Sequence, residues 1–244
     1  MRLGLRLVVL AFALLVPSAV SAQGGINLSW DDCGASGAGL KFFACDSNAG
    51  SSTLYVSAVT SVSMPQLNGV SIVIDIQTSA TELSDWWKMS SGGCRVSAIT
   101  GNMNFTSGPF SCYDVWAGRA SGGVSYTPAF GGPNRARLRG VAAIPGTTPA
   151  PETAEMYLFA FRISHEKSTG EGSCAGCTDK AVLVLNSVLL TQPIGVGNYT
   201  LTAPLNSGYA SWRCSAWLGK GGLEFSCTSP TKKNSWGAIK SLYR

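Results

Sequence analysis

Eight cysteines fall along the chain as four close pairs, Cys33/Cys45, Cys94/Cys112, Cys174/Cys177 and Cys214/Cys227. An even set of this kind, in an oxidising compartment, reads as a disulfide framework. The compartment is indicated by the N-terminus, MRLGLRLVVLAFALLVPSAVSAQGG, with two arginines, a short apolar core and small residues at Val20, Ser21 and Ala22. This is the pattern of a secretory signal peptide over residues 1–22, cleaved after Ala22. No later run reaches the roughly 18 apolar residues of a membrane helix. The chain is therefore expected to be exported, to the extracellular space or periplasm. Neighbour pairing, 33–45, 94–112, 174–177 and 214–227, is the economical expectation, each bridge clipping a short loop for ~3 kcal/mol or so.

The pair Cys174/Cys177 lies nine residues after the single histidine, His165. A zinc site needs four ligands, usually two close pairs, and a second pair is lacking here. Attachment of c-type haem requires histidine where Thr178 stands. A thioredoxin-like pair belongs at a helix N-terminus, whereas the residues that follow, AVLVLNSVLL, are of β type. The segment is expected to be a hairpin tip closed by a small disulfide ring, with His165 ending the preceding strand. Neither metal nor cofactor is expected.

Runs rich in β-branched and aromatic residues recur at 53–62, 70–78, 136–144, 155–164 and 180–192, each bounded by Gly, Ser, Pro or Asn. In 155–164, alternation puts Tyr157, Phe159, Phe161 and Ile163 on one face and Met156, Leu158, Ala160 and Arg162 on the other. Both are apolar enough for a strand covered on each side. In 70–78, Val70, Ile72, Ile74 and Ile76 alternate with Ser71, Val73, Asp75 and Gln77, giving one buried face and one wetter one. The lone helix candidate is 79–89, a short turn capped by Thr81 or Ser84. Together these features predict an all-β antiparallel sandwich over residues 23–205.

The strand VSIVIDIQT with a turn of helix after it, then YLFAFRISHEKSTGEG leading into AVLVLNSVLLTQ, resembles cohesin domains and related bacterial carbohydrate-binding sandwiches over about residues 53–192. The resemblance implies a cohesin-like, jelly-roll type of sandwich. The inserted cysteines depart from that pattern.

Residues 206–230 hold WRCSAWLGKGGLEFSC, in which Leu218 opposite Leu223 places Cys214 directly across from Cys227, a disulfide-clipped hairpin. Residues 231–244 form a basic amphipathic tail. Lys232, Lys233, Lys240 and Arg244 supply charge, and Trp236, Ile239, Leu242 and Tyr243 an apolar face. The ending is similar to tails of some uncharacterised secreted bacterial proteins. Residues 206–244 carry six basic side chains and one acidic, against ten and twelve over 23–205. The tail is thus a candidate anchor to an anionic envelope surface, the alternative being a solvated terminus.

Aromatic residues carry the binding signal. Trp86 and Trp87 are adjacent, and Tyr113 and Trp116 lie in a cysteine-bounded loop. Adjacent rings cannot share one core-facing side, so an exposed member of each group would stack on sugars or insert into a protein partner. The alternative is that one tryptophan of each group plugs an end of the sandwich. The sequence DSN at 46–48 has spaced oxygen ligands but no bidentate Glu behind it, and reads as a turn. N-x-S/T tripeptides occur at Asn27, Asn104 and Asn198. Arg135, Arg137 and Arg139 alternate along a strand without a wider basic patch, which disfavours nucleic acid. The leading expectation is a secreted, non-catalytic binding or adhesion module for a polysaccharide or another extracellular protein. The competing one is a glycosidase-like hydrolase with a carboxylate pair, for which Asp75 is the conspicuous acid.

Overall fold

A computed structural model describes residues 24–214 in full and the backbone of 216–219 and 222–225. The expected signal peptide, Cys227 and the tail residues Lys232, Lys233, Trp236, Ile239, Lys240, Leu242, Tyr243 and Arg244 lie outside the described residues. The described chain is all-β, with two short 3₁₀ turns at Gly34–Ser36 and Asp85–Trp87. The expected helix of 79–89 is reduced to the second of these, with Ser84 at its N-cap and no side-chain cap bond.

Strands β1 (Gly25–Trp30), β2 (Leu40–Lys41), β3 (Ser51–Val59), β4 (Met64–Thr78), β5 (Ile99–Asn102), β6 (Tyr113–Asp114) and β7 (Ser121–Pro128) make up the first half. The second half holds β8 (Arg135–Ala150), β9 (Met156–Ser164), β10 (Ala181–Thr191), β11 (Tyr199–Leu201) and β12 (Tyr209–Trp212), followed by the hairpin β13 (Ala216–Gly219) and β14 (Gly222–Phe225). One sheet runs β1-β3-β9-β5, with β6 also on β9; the other runs β2-β12-β10-β4-β8-β7, with β11 on β10. Most pairings are antiparallel; β2 on β12 and β6 on β9 are parallel. Each of the five apolar runs becomes a strand, β3, β4, β8, β9 and β10 in order, because their β-branched and aromatic residues fit a pleated surface covered on one or both sides.

The core lies between the sheets. Ile72, Ile74 and Ile76 of β4, Leu138 of β8 and Leu183 of β10 are buried in one core cluster with Phe159 and Phe161 of β9. Close approach is required here: a Cβ on Gly140 would come within 2.7 Å of the Phe161 ring, and one on Gly101 within 2.5 Å of Phe159. The wetter face of β4 is as expected, with Ser71, Val73, Asp75 and Gln77 half-buried and alternating with the core residues.

Alternation along β9 breaks at one point. Val56 pairs with Phe159 but Ser57 with Tyr157, so Leu158 is an extra residue, and a bulge of this kind reverses the facing of what precedes it. Tyr157 therefore leaves the Phe159 and Phe161 face. It stacks on Phe105 at 4.8 Å, and its hydroxyl donates to Asp32 Oδ1 at 2.6 Å. This corrects the expected grouping of Tyr157 with Phe159, Phe161 and Ile163.

The disulfides also differ from expectation. Cys33 is bonded to Cys112, Cys45 to Cys177 and Cys94 to Cys174, closing sequence separations of 79, 132 and 80 residues. Cys214 is disulfide-bonded as well, and β13 pairs with β14 with Leu218 opposite Leu223. The 174–177 segment is not a hairpin tip, because β9 and β10 belong to different sheets. It is a crossing between sheets, tied at one cysteine to the loop before β3 and at the other to the loop before β5.

The boundary drawn at residue 205 moves too. Strand β12 pairs with β10 and β2, and Ala210 and Trp212 are fully buried, so the sandwich body extends past it. The N-x-S/T sites divide: Asn104 and Asn198 are exposed, whereas Asn27 is 1% exposed, its amide donating to Glu155 and accepting from the backbone of Asn206 and Ser207.

His165 follows β9 as expected. Its ring stacks on Phe43 at 3.8 Å and bonds Ser52 Oγ and the Ala49 carbonyl. Burial holds its pKa below the ordinary range, aided by the charges of Lys41 and Arg95 and opposed by the Ala49 bond. The unfolded chain therefore takes up the proton first. The contribution is complete above the unfolded value of roughly 6.5 and declines as pH falls from there towards the folded value. Urea unfolding should show stability lost between about pH 7 and 5, and His165→Gln should remove that part of the slope. Identical slopes would assign the loss elsewhere.

Candidate functional site: a groove at the open edge of the sandwich

Trp86, Trp87 and Trp116 are fully buried, which corrects the expectation that a tryptophan of each group faces solvent. The Trp86 and Trp87 rings meet edge to face at 5.0 Å, and both contact Trp212, at 5.1 and 5.8 Å. This cluster plugs one end of the sandwich. The Trp86 indole donates to Ser168 Oγ and that of Trp212 to the Cys177 carbonyl. The Trp116 indole donates to the Leu158 carbonyl, holding its loop against the outer side of β9. Tyr113, 52% exposed, is the one ring of the four at the surface, and Phe110 beyond Cys112 is more exposed still.

The tryptophan pair nevertheless leads into a concave surface. The chain leaving Trp87 turns through Lys88–Ser97 and enters β5, the edge of its sheet, opposite β7, the edge of the other. Three neighbouring clefts follow this seam. The middle one, about 520 Å³, lies between Met89–Ser91, Val96–Gly101 and the β7 residues Gly123, Val124 and Tyr126. A cleft of about 360 Å³ continues it past Ser90 and Ser91 towards Glu82, Pro128 and Pro133. A third, about 230 Å³, shares Ser97 and Thr100 with the middle one and ends at Gly50 and Arg162.

Arg95 fixes the wall of this groove. It is 2% exposed, lies 3.7 Å over the Trp86 ring, and donates to the carbonyls of Trp86, Glu166 and Ser164. Burial, resisted by the charge of Glu166, pulls its pKa down to about 10, so it remains a cation at neutral pH. No carboxylate contacts it among the described residues; its charge is met by carbonyl dipoles and a ring face. The Cys94–Cys174 bond, and a hydrogen bond from Lys167 Nζ to the Cys94 carbonyl, secure the adjoining position. From the opposite wall the Tyr126 hydroxyl donates to the Trp87 carbonyl. Burial raises the Tyr126 pKa, so the phenol keeps the proton it donates. A wall held on three sides is pre-organised, which lowers the ordering cost of binding.

The lining mixes hydroxyls, those of Ser90, Ser91, Ser97, Thr100 and Tyr126, with apolar side chains such as Leu83, Met89, Val96 and Val124, and Glu82 is its one carboxylate among the described residues. The remaining prominent acids are in use elsewhere. Asp75 makes a two-pronged pair with Arg137 at 2.7 and 2.8 Å. Burial opposes its ionisation, but the bonds from Arg137 and Asn186 and the charges of Arg137 and Arg135 prevail, and its pKa is lowered. Asp32 accepts from Tyr157, Ser111 and the Cys33 amide. Glu155 accepts from Asn27 and Ser57 through Oε1, and its Oε2 would lie 2.2 Å from a Cβ on Gly34. Glu155 also neighbours the sulfurs of Cys33 and Cys112, but these are bonded to each other and offer no thiolate. Asn48 of the DSN segment accepts from the Ser168 and Thr169 amides, tying that loop to the crossing between β9 and β10.

No protein-family model and no curated protein matches this chain. Sequence reasoning selected the Trp86–Trp87 segment for its rings, whereas the groove comes from the ten residues that follow. Arg95 gave no local signal, since its three acceptors come from chain positions 86, 164 and 166.

Proposed function

We propose that the protein is a secreted, non-catalytic binding module that holds a polysaccharide strand in the groove between β5 and β7. The observation that carries this reading is a groove in which serine, threonine and tyrosine hydroxyls are set among apolar side chains and whose wall is locked by Arg95 and the Cys94–Cys174 bond. Sugar hydroxyls pair with the hydroxyls of such a lining and the apolar C–H faces of sugar rings with its apolar side chains, and a rigid wall does not have to be ordered on binding. Disulfide bonds are in keeping with an exported protein, as is the leader-like N-terminus. The β-sandwich is the architecture that the resemblance to cohesin and carbohydrate-binding domains implies.

Thr100 is exposed on edge strand β5 and lines two of the three clefts. Thr100→Trp should fill the groove without entering the core. On a polysaccharide panel the mature chain should be retained by at least one polymer and release no reducing ends. The variant should bind that polymer at least about tenfold more weakly, a loss of ~1.4 kcal/mol, with an unchanged melting temperature. Retention of no polymer, or full binding by the variant, would refute the reading.

A further inference from the structure

The outer face of the β4–β8–β7 region carries a row of arginines. Strand β8 presents Arg135, Arg137 and Arg139 at alternating positions on its solvent side, with Ala136 and Leu138 buried between them. Successive members of the row are therefore roughly 6.8 Å apart, twice the strand rise. Arg137 is occupied: its guanidinium grips Asp75 and lies 3.7 Å over the Phe130 ring. Arg135 and Arg139 form no ion pair and no side-chain hydrogen bond among the described residues.

Cross-strand register supplies the neighbours. Ser125 of β7 and Val73 of β4 flank Arg139, Thr127 and Asp75 flank Arg137, and Gln77 lies beside Arg135. Asp75 is the sole carboxylate in these rows. Apart from these three arginines and Asp75, residues 24–214 carry more acid than base, eight Lys and Arg against eleven Asp and Glu. A polyanion would thus be favoured along this row and repelled from much of the remaining surface.

We propose that this row is a binding stripe for an acidic polysaccharide bearing uronate carboxylates, which refines the polysaccharide reading above and rests on it. The grip of Arg137 on Asp75 shows on this same surface the planar, two-pronged mode by which an arginine takes a carboxylate. The two unoccupied arginines stand about 14 Å apart, four residues along the strand. One small anion cannot reach both, and a single exposed ion pair contributes little. A chain with repeated carboxylates engages both at once, and the second contact then forms at high effective concentration. The hydroxyls of Ser125 and Thr127 face sugar hydroxyls alongside. Strand β7 links the stripe to the groove: Val124 and Tyr126 line the groove, while Ser125 and Thr127 are exposed between and beyond them. A polymer lying over this edge would touch both surfaces.

The test uses polygalacturonate, its fully methyl-esterified neutral counterpart, the mature protein, and the double variant Arg135→Gln with Arg139→Gln. Both positions are solvent-exposed, so folding should be unaffected, as circular dichroism would verify. Wild type should bind polygalacturonate at least about tenfold better than the ester, and lose that preference as salt rises from about 0.05 to about 1 M. The double variant should bind the two polymers alike. Equal binding of both polymers by wild type, or an undiminished preference in the double variant, would overturn the stripe while leaving the polysaccharide reading intact. Retention of neither polymer would also overturn it, and the Thr100→Trp panel then decides the broader reading separately.

Discussion

Trp86→Ala is expected to destabilise the protein by about 3–5 kcal/mol, the usual cost of truncating a buried aromatic. The ring is fully buried against Trp87, Trp212 and the Arg95 guanidinium, so its removal opens a cavity at the end of the sandwich and takes away the ring face beneath a buried cation. Urea unfolding of the purified variant measures this directly. A shift below about 1 kcal/mol, the range of a surface substitution, would mean that the ring does not support the core. Had Trp86 been a sugar-stacking platform, the same change would have spared stability and affected ligand retention alone.

Arg95→Met should cost about 3 kcal/mol or more. Three carbonyls, those of Trp86, Ser164 and Glu166, lose their donor, and a buried acceptor left unpaired costs roughly 1–3 kcal/mol. Arg95→Lys should recover little of this, because an ammonium on a flexible stem does not reproduce a planar fork spread over three acceptors. Since the same contacts hold the groove wall, the Met variant should also show faster amide exchange across residues 88–97 than elsewhere. Uniform exchange protection would separate Arg95 from the groove and reduce it to a packing residue.

Periodicity and β-type composition made the strands legible, because both report directly on burial of a pleated surface. They could not foresee the Leu158 bulge, since one extra residue leaves composition unchanged while turning Tyr157 to the opposite face. Neighbour pairing of Cys33 with Cys45, Cys94 with Cys112 and Cys174 with Cys177 followed from their clustering along the chain. The fold overrides it by bringing the loop before β3, the loop before β5 and the β9–β10 crossing to one end of the sandwich, where Cys177 reaches Cys45 and Cys174 reaches Cys94. Adjacent tryptophans were expected to diverge, one towards water. Instead the two rings meet edge to face, 5.0 Å apart, because the segment packs against the 165–177 crossing and both rings are interior. The charge contrast between body and tail was read at residue 205, although sheet pairing continues through β12. Asp75 on the solvent side of β4 was legible, whereas its cross-strand partner depended on register: Arg137 stands opposite it.

The central claim is that ligand occupies the groove between the two sheet edges and meets a wall already in place. Titrating the best-retained oligosaccharide into the isotope-labelled protein, with backbone amide shifts followed by NMR, tests it most directly. Shifts should concentrate at Ser90–Gly93, Ser97–Gly101 and Gly123–Tyr126, with Trp86 and Trp212 indole signals nearly still. Perturbations centred instead on Phe110 and Tyr113, or broad changes through the Trp86–Trp212 cluster, would contradict it.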